Sequence, residues 1–418
     1  MARITELATE LQFLILAIGD GQLTCRDIAS VARTCKVLCD VATPLLYSHN
    51  ISHDRSSVLI WAARNNRLDT VEKALAFGAD IDTLGPSYAF QQSYGTPLHW
   101  ATSRGSDDIV RLLLDHNARL DTPSRFMCSC WVNCSHSNYY SWNPLPQWFP
   151  LHLAICMKHE TTAHIILDRR PPMHMKDEPA DSSGSAPTIL HCAAAKGLDT
   201  VVQRALNLYP GILDTWKHEA SGRSSSDTDI IASPLHYTAD CWDSKSVIRT
   251  LVSAGCDLEA EDKESMTPIW KACQYGNFAT AMHLLAVGSQ TRRAPTLTSE
   301  PSPSELSRVQ LGHIPLLHLA VLGRAHFKGY GGLEDDRCHD EQVAFVKALI
   351  EEHGHTVHEP FPGFSGQMPL NTALRPNRSK HADALPALIR LLLEKGADPN
   401  IGDDEMSLLS SLCSNSNA

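Results

Sequence analysis

Residues 96–121 read TPLHWATSRGSDDIVRLLLDHNARLD, and this stretch decides the fold. Thr96 can cap a helix, because its hydroxyl accepts a hydrogen bond from an orphan backbone N–H. Pro97 comes next, where its missing N–H would have had no partner in any case. Leu98 is placed to point into a stack, and Ala101 lets a neighbouring helix approach closely. His99 has two ring nitrogens with which to bridge backbone groups. A second apolar-periodic run, SDDIVRLLLDHNARLD, starts at Ser106. The stretch therefore predicts two short helices joined by a tight turn.

The pattern recurs. Related strings are FPLHLA at 149–154, TILHCA at 188–193, SPLHYT at 233–238 and PLLHLA at 315–320, with weaker copies SVLIWA from Ser57, TPIWKA from Thr267 and MPLNTA from Met368. A fragment at Ser407–Leu409 is the last. The anchoring apolar residues are Leu59, Leu98, Leu151, Leu190, Leu235, Ile269, Leu317, Leu370 and Leu408, at intervals between 34 and 53 residues. Each copy is followed by a helical run such as RLDTVEKALAFGADID from Arg67 or LPALIRLLLEKGADPN from Leu385. Gly78, Gly255, Gly288 and Gly396 follow the last apolar turns, the usual place of a left-handed helix stop.

These residues resemble the ankyrin-repeat family, whose period is about 33 residues. The resemblance covers roughly 55–418, as about eight repeats and a partial ninth. It implies an all-α ankyrin-repeat solenoid: antiparallel helix pairs stacked side by side, with β-hairpin loops projecting to form a concave protein-binding surface. The longer intervals place insertions near 121–149, 169–187, 219–231, 291–312 and 325–341. The third repeat lacks a Gly-Ala end after Leu167.

Composition narrows the function. Apolar residues make up 43% and charged residues 20%, which suits a chain with a real core. Lys and Arg number 36 against 47 Asp and Glu, a net charge of -11. That balance argues against nucleic acid as the main ligand, since phosphate binding needs clustered positive charge. No apolar run approaches the roughly 18–20 residues that span a bilayer, and Glu6 and Glu10 interrupt the N-terminal apolar stretch, so no membrane contact or secretory signal is expected. The expected location is cytoplasmic, nuclear or both. The 13 cysteines are then mostly free thiols, with Cys192, Cys241 and Cys273 as small core residues.

Residues 1–50 do not carry the repeat. Leu7, Leu11, Leu14, Ile15 and Ile18 form one helical face, and Ile28, Val31, Cys35, Leu38 and Val41 another. Asp27 is placed to start the second element, and Pro44 to end its helical pattern. The segment resembles an F-box of the kind that precedes repeats in fungal proteins, matching at Leu7, Glu10, Leu11, Ile15, Asp27, Ile28, Thr34, Cys35 and Lys36. Ala8 stands where the family has proline. The resemblance implies that Leu7, Glu10, Leu11, Ile15, Ile28 and Cys35 contact a Skp-type adaptor of a cullin–RING ubiquitin ligase. The other reading is a helical cap that shields the first repeat, as terminal repeats require; the two are compatible.

Several motifs fall outside the repeat logic. The insert after Asp121 holds Cys128, Cys130, Cys134 and His136 among aromatic residues. Three thiols and an imidazole can make a zinc set, but the spacing is not that of paired C-x2-C modules, and a Cys-rich aromatic loop is the plainer reading. His159, Glu160 and His164 miss metalloprotease spacing by one residue. No phosphate-binding glycine motif is present, and His99, His152, His191, His236 and His318 are explained by the repeat. Neither a cofactor nor an enzyme activity is expected; an enzyme would need an unrecognised site in the Cys-rich insert. Ser224 and Ser226 each precede an Asp by three residues, an acidic-kinase pattern in a solvated loop.

The expected function is protein binding. As the resemblance implies, loop tips and inner helices would touch an unknown protein substrate. Asp82, Thr83, Asp121, Glu259, Asp262, Lys263 and Arg104 are the candidates; Trp100 and Tyr237 read either as aromatic anchors for the partner or as packing between helices. The chain then reads as a substrate receptor of a ubiquitin ligase. The alternative is an ankyrin scaffold or inhibitor unconnected to ubiquitin.

Overall fold

The structure is a computed structural model. It describes residues 25–86, 94–124, 127, 149–173, 188–213, 232–262, 264–292, 314–322, 337–360, 368–374 and 385–399. The chain divides into two units, 1–177 and 178–418.

The first unit opens with a hairpin of α1 (Cys25–Ala32) and α2 (Lys36–His53). Ile28, Val41 and Ala42 form its buried core, with Val31, Ala32, Leu45 and Leu46 packed against them. Pro44 does not end the helix as its sequence suggests: α2 runs through it. Proline removes one ladder hydrogen bond. Here apolar residues pack on both sides of it, Val41 and Ala42 before and Leu45 and Leu46 after, and the helix is carried across.

Three helix pairs follow: α3 (Ser57–Arg64) with α4 (Leu68–Ala76), α5 (Pro97–Arg104) with α6 (Asp107–Asp115), and α7 (Pro150–Cys156) with α8 (Glu160–Leu167). First helices pack on first helices and second on second. Between α4 and α5 a short antiparallel pair, β1 (Gly85–Pro86) and β2 (Tyr94–Gly95), makes a hairpin. Among the described residues this is the one strand pair, fewer than the projecting hairpins that the resemblance implies.

The second unit contains five pairs. They are α9 (Ile189–Lys196) with α10 (Asp199–Leu208), α11 (Pro234–Tyr237) with α12 (Lys245–Ser253), α13 (Pro268–Gln274) with α14 (Phe278–Ala286), α15 (Leu316–Leu322) with α16 (Arg337–Glu351), and α17 (Pro369–Leu374) with α18 (Leu385–Glu394). Helix α16 begins at Arg337, inside the insertion expected at 325–341. The fragment around Leu408 lies outside the described residues.

The anchors place the core. Leu59, Leu98, Leu190, Leu235, Ile269 and Leu317 are fully buried, and Leu151 and Leu370 almost so. The caps follow the spelling. Thr96 Oγ1 accepts from the His99 N–H, and His99 Nδ1 accepts the Thr96 N–H at 3.1 Å. Thr188 and His191 repeat this box, with the matching bond at 3.0 Å. Seven residues after the anchor the chain turns through the left-handed region, at Asn66, Gly105, Lys158, Gly197 and Gly276. Gly105 has a second reason to lack a side chain: an added Cβ would lie 2.7 Å from His159 Nδ1. The second helices stop in the same region at Gly78, Gly255, Gly288 and Gly396, and in the third repeat Arg170 takes the place of the missing glycine.

The recurrent histidine also ties repeats together. His236 Nε2 lies 2.9 Å from the Met266 carbonyl at the start of the next repeat, and His318 Nε2 lies 2.8 Å from that of Glu359. In the sixth repeat Trp270 stands in this slot, and its Nε1 donates to the Ile314 carbonyl at 2.8 Å. Burial holds the His236 imidazole down at about 4, only partly offset by the Met266 carbonyl, so it is neutral and structural.

Candidate functional site: loop tips and the first-helix edge

The loop tips are built by a repeated device. Asp80 Oδ1 accepts the Asp82 N–H at 3.1 Å, and Asp257 Oδ1 accepts the Glu259 N–H at 2.9 Å. Each tip then reaches to the next repeat. Asp82 Oδ1 accepts the Arg119 N–H at 3.0 Å, and Glu259 Oε1 accepts the Gln290 N–H at 2.8 Å. Asp82 and Glu259, expected to meet a partner, are thus half-buried and hold neighbouring tips together. Asp121 is exposed and paired with Arg119 at 3.1 Å; that guanidinium holds its carboxyl below the usual carboxylate range.

Four other candidates turn inward, and the structure corrects two of them, Thr83 and Asp262. Thr83 is buried, and its hydroxyl donates to the Arg55 carbonyl at 2.6 Å. Asp262 is buried beside Lys271 Nζ at 3.2 Å, and its Oδ1 accepts the Glu264 and Met266 N–H groups, both at 2.9 Å. A buried ammonium needs such a counter-ion, which keeps the carboxylate inside. Trp100 and Tyr237 are each 9% exposed. The Arg64 guanidinium lies 5.3 Å from the Trp100 ring centre, and Tyr237 meets the His191 ring edge-on at 5.2 Å. Both side chains pack between repeats, the second of the two readings their sequence left open.

The first-helix edge is different. Arg104 is exposed there as expected. Nothing in the repeat spacing anticipates that Trp61, at 49%, and Met157, at 40%, stand exposed on the same edge. Two contacts make this edge continuous across the first three repeats: Arg64 over Trp100, and the His159 ring, whose Nε2 lies 3.3 Å from the Ser103 carbonyl.

In the second unit the fifth repeat departs from the pattern. After α11 the chain passes through a 3-10 turn at Thr238–Asp240 and restarts only at Lys245. Asn277, from the next repeat, holds the break. Its Nδ2 donates to the carbonyls of Ala239 at 3.0 Å and Cys241 at 2.8 Å, while its Oδ1 caps α14 through Thr280 N–H at 3.0 Å. Trp242 projects from the break, 48% exposed.

Ile28, of the adaptor-contact set, is buried in the hairpin core, and half-buried Cys35 precedes α2. Leu7, Glu10, Leu11, Ile15 and Lys263 lie outside the described residues, as do Cys128, Cys130, Cys134, His136, Ser224 and Ser226. Among the described residues no group of His, Cys, Asp or Glu is arranged to hold a metal, and no helix is long and apolar enough to cross a membrane.

The family model "Ankyrin repeats" matches in three copies, over residues 28–124 and 59–177. These are ankyrin repeats. Such repeats are typically a protein-interaction fold and not a catalytic one. Among curated relatives, the human "Palmitoyltransferase ZDHHC13" is 47% identical over 62 residues, 15% of this chain and 9% of that protein. The human "Ankyrin repeat and SOCS box protein 16" is 24% identical over 277 residues, 63% of this chain and 58% of the relative. The chain thus spans less than two thirds of either. A solved structure, the human ASB11 ankyrin repeat domain, is 15% identical, covering 73% of this chain and 99% of that one, with a TM-score of 0.43.

Proposed function

We propose that this chain is a substrate receptor of a cullin–RING ubiquitin ligase. Its N-terminal F-box-like segment docks a Skp-type adaptor, and its ankyrin repeats hold a protein substrate at the loop tips and first-helix edge. Other subunits perform the transfer, and the chain contributes proximity and orientation. The observation that carries this reading is the α1–α2 hairpin, a small core of its own ahead of the first repeat and without the repeat motif. The name of one relative likewise joins ankyrin repeats to a second box, the SOCS box.

A pull-down of the full chain with a purified Skp-type adaptor tests it, comparing wild type with Leu11→Asp/Ile15→Asp. Wild-type binding that the double variant loses is the expected result. A folded wild-type chain that leaves the adaptor in solution sinks it.

A second reading, an ankyrin scaffold whose hairpin is a helical cap, is favoured by other contacts. Ser56 Oγ accepts the Asp80 N–H at 3.0 Å, as Asp82 does for the following tip. Tyr47 stacks on Phe77, which caps the end of α4, at 5.2 Å. The family match also begins at residue 28, within the hairpin.

A further inference from the structure

We propose that the first-helix edge of the first three repeats binds an extended acidic peptide whose carboxylates recur every third residue. The inference rests on reading that edge as the partner-binding face, and it names the chemistry of the partner.

Charge is the first argument. The positions at which the first helices end and turn are 64–67, 103–106 and 156–159. They hold Arg64, Arg67, Arg104 and Lys158, and no Asp or Glu, in a chain whose net charge is -11. The acids Asp69, Asp107, Asp108 and Glu160 come only with the second helices. Some cations elsewhere are neutralised, Arg119 by Asp121, Arg169 by Asp115 and Lys395 by Glu351, while others such as Lys73 and Arg111 stand next to acids on their own second helices. Among the described residues, Arg67, Arg104 and Lys158 have no ion pair. A cation in each last turn complements the helix dipole. That accounts for Arg64 and Arg104, which end helices, but not for Arg67, which lies beyond one.

Packing supplies the second argument. Arg64 is held over the Trp100 ring, so its charge is presented in a fixed place. The Trp100 Nε1 donor is buried without an acceptor in the same wall. Trp61 and Met157 offer exposed apolar surface at the two ends of the strip. A cationic strip closed by apolar contacts suits an acidic segment better than a free anion.

Spacing supplies the third. Packed helices lie about 8–10 Å apart. A polyproline II chain rises about 3.1 Å per residue with three residues per turn, so one turn spans about 9 Å, one repeat. Side chains three apart then face the strip together. A β-strand puts them on opposite faces.

The probe is a labelled peptide of Glu-Pro-Pro repeated four times, read by fluorescence anisotropy against the full chain. The comparison peptide has the same composition with its four Glu in one block. The periodic peptide is expected to bind at least about fivefold tighter, weaken at about 0.3 M salt, and lose about tenfold or more with Arg104→Glu/Lys158→Glu. Circular dichroism checks that the variant is folded. Equal binding of the two peptides, or unchanged binding to the variant, overturns the proposal. A displayed peptide library on the same protein separates the two levels. Peptides lost with Trp61→Ala/Met157→Ala but free of spaced acids overturn the acidic class and leave the face standing. A library from which the edge selects nothing removes both.

Discussion

Asn277→Ala is the substitution with the most to reveal, because one side chain from the sixth repeat completes the fifth. Asn277 is 2% exposed and makes three hydrogen bonds. Losing the cap on α14 costs about 1 kcal/mol. The Ala239 carbonyl would be left buried without this donor, at about 1–3 kcal/mol. The Cys241 carbonyl keeps a second donor, the Thr280 hydroxyl at 3.0 Å, and suffers less. The sum is about 3 kcal/mol. Asn277→Ser keeps a capping oxygen and loses only the amide donors, so it should recover about 1 kcal/mol of that. Repeat arrays do not unfold as one all-or-none unit, so the assay is amide hydrogen exchange, segment by segment. Protection should fall in 238–244 and 277–286 and much less in α10. Asn65→Ala, which removes an exposed bond to the Trp61 carbonyl, is the control and should move little. If Asn277→Ala leaves 238–244 as protected as wild type, the reasoning about the break is wrong.

Further expectations concern the core and its charges. Leu98→Ala and Leu151→Ala should each destabilise by about 2–5 kcal/mol, and near-neutral urea midpoints at both would undo the repeat register. Asp262→Ala should cost about 3 kcal/mol by leaving Lys271 with only Glu264 at 3.5 Å, and partner affinity of the folded variant should stay unchanged. His236 is held neutral in the fold, near 4 against an ordinary 6.5. Its contribution is therefore full above about pH 6.5 and fades as the unfolded chain takes up the proton down to about 4, at most ~3 kcal/mol. The lowered His318 adds in the same direction. Desolvation raises the Asp240 carboxyl, which takes up a proton in the fold as pH falls and so opposes them. His236→Gln should flatten the acid side of a stability–pH curve, and identical slopes would contradict the assignment.

The fold was legible because the repeat writes its packing into spacing. Every described anchor is buried, and the glycines after the second helices do adopt the left-handed turn. What escaped was set by neighbours that spacing does not encode. Thr83 and Asp262 look like exposed loop polars, and only the tertiary structure shows that Arg55 and Lys271 draw them inside. The stop of α11 at Tyr237 depends on a side chain forty residues later. Lys158 and Arg170 fill left-handed positions that a glycine search passes over. The candidate edge was only partly visible: Arg104 could be named, but the exposure of Trp61 and Met157 is not written in the spacing.

The ties between loop tips bear on how such a surface diversifies. Asp82 and Glu259 each give a side-chain oxygen, but what they grasp is a main-chain N–H, at Arg119 and Gln290. Any residue except proline brings that donor. The side chains at 119 and 290 are therefore released from the stacking requirement, and a lineage can rewrite them while the array stays assembled. Variation is confined to the receiving side of each tie and withheld from the giving side, so the molecule's capacity to acquire new partners is partitioned residue by residue.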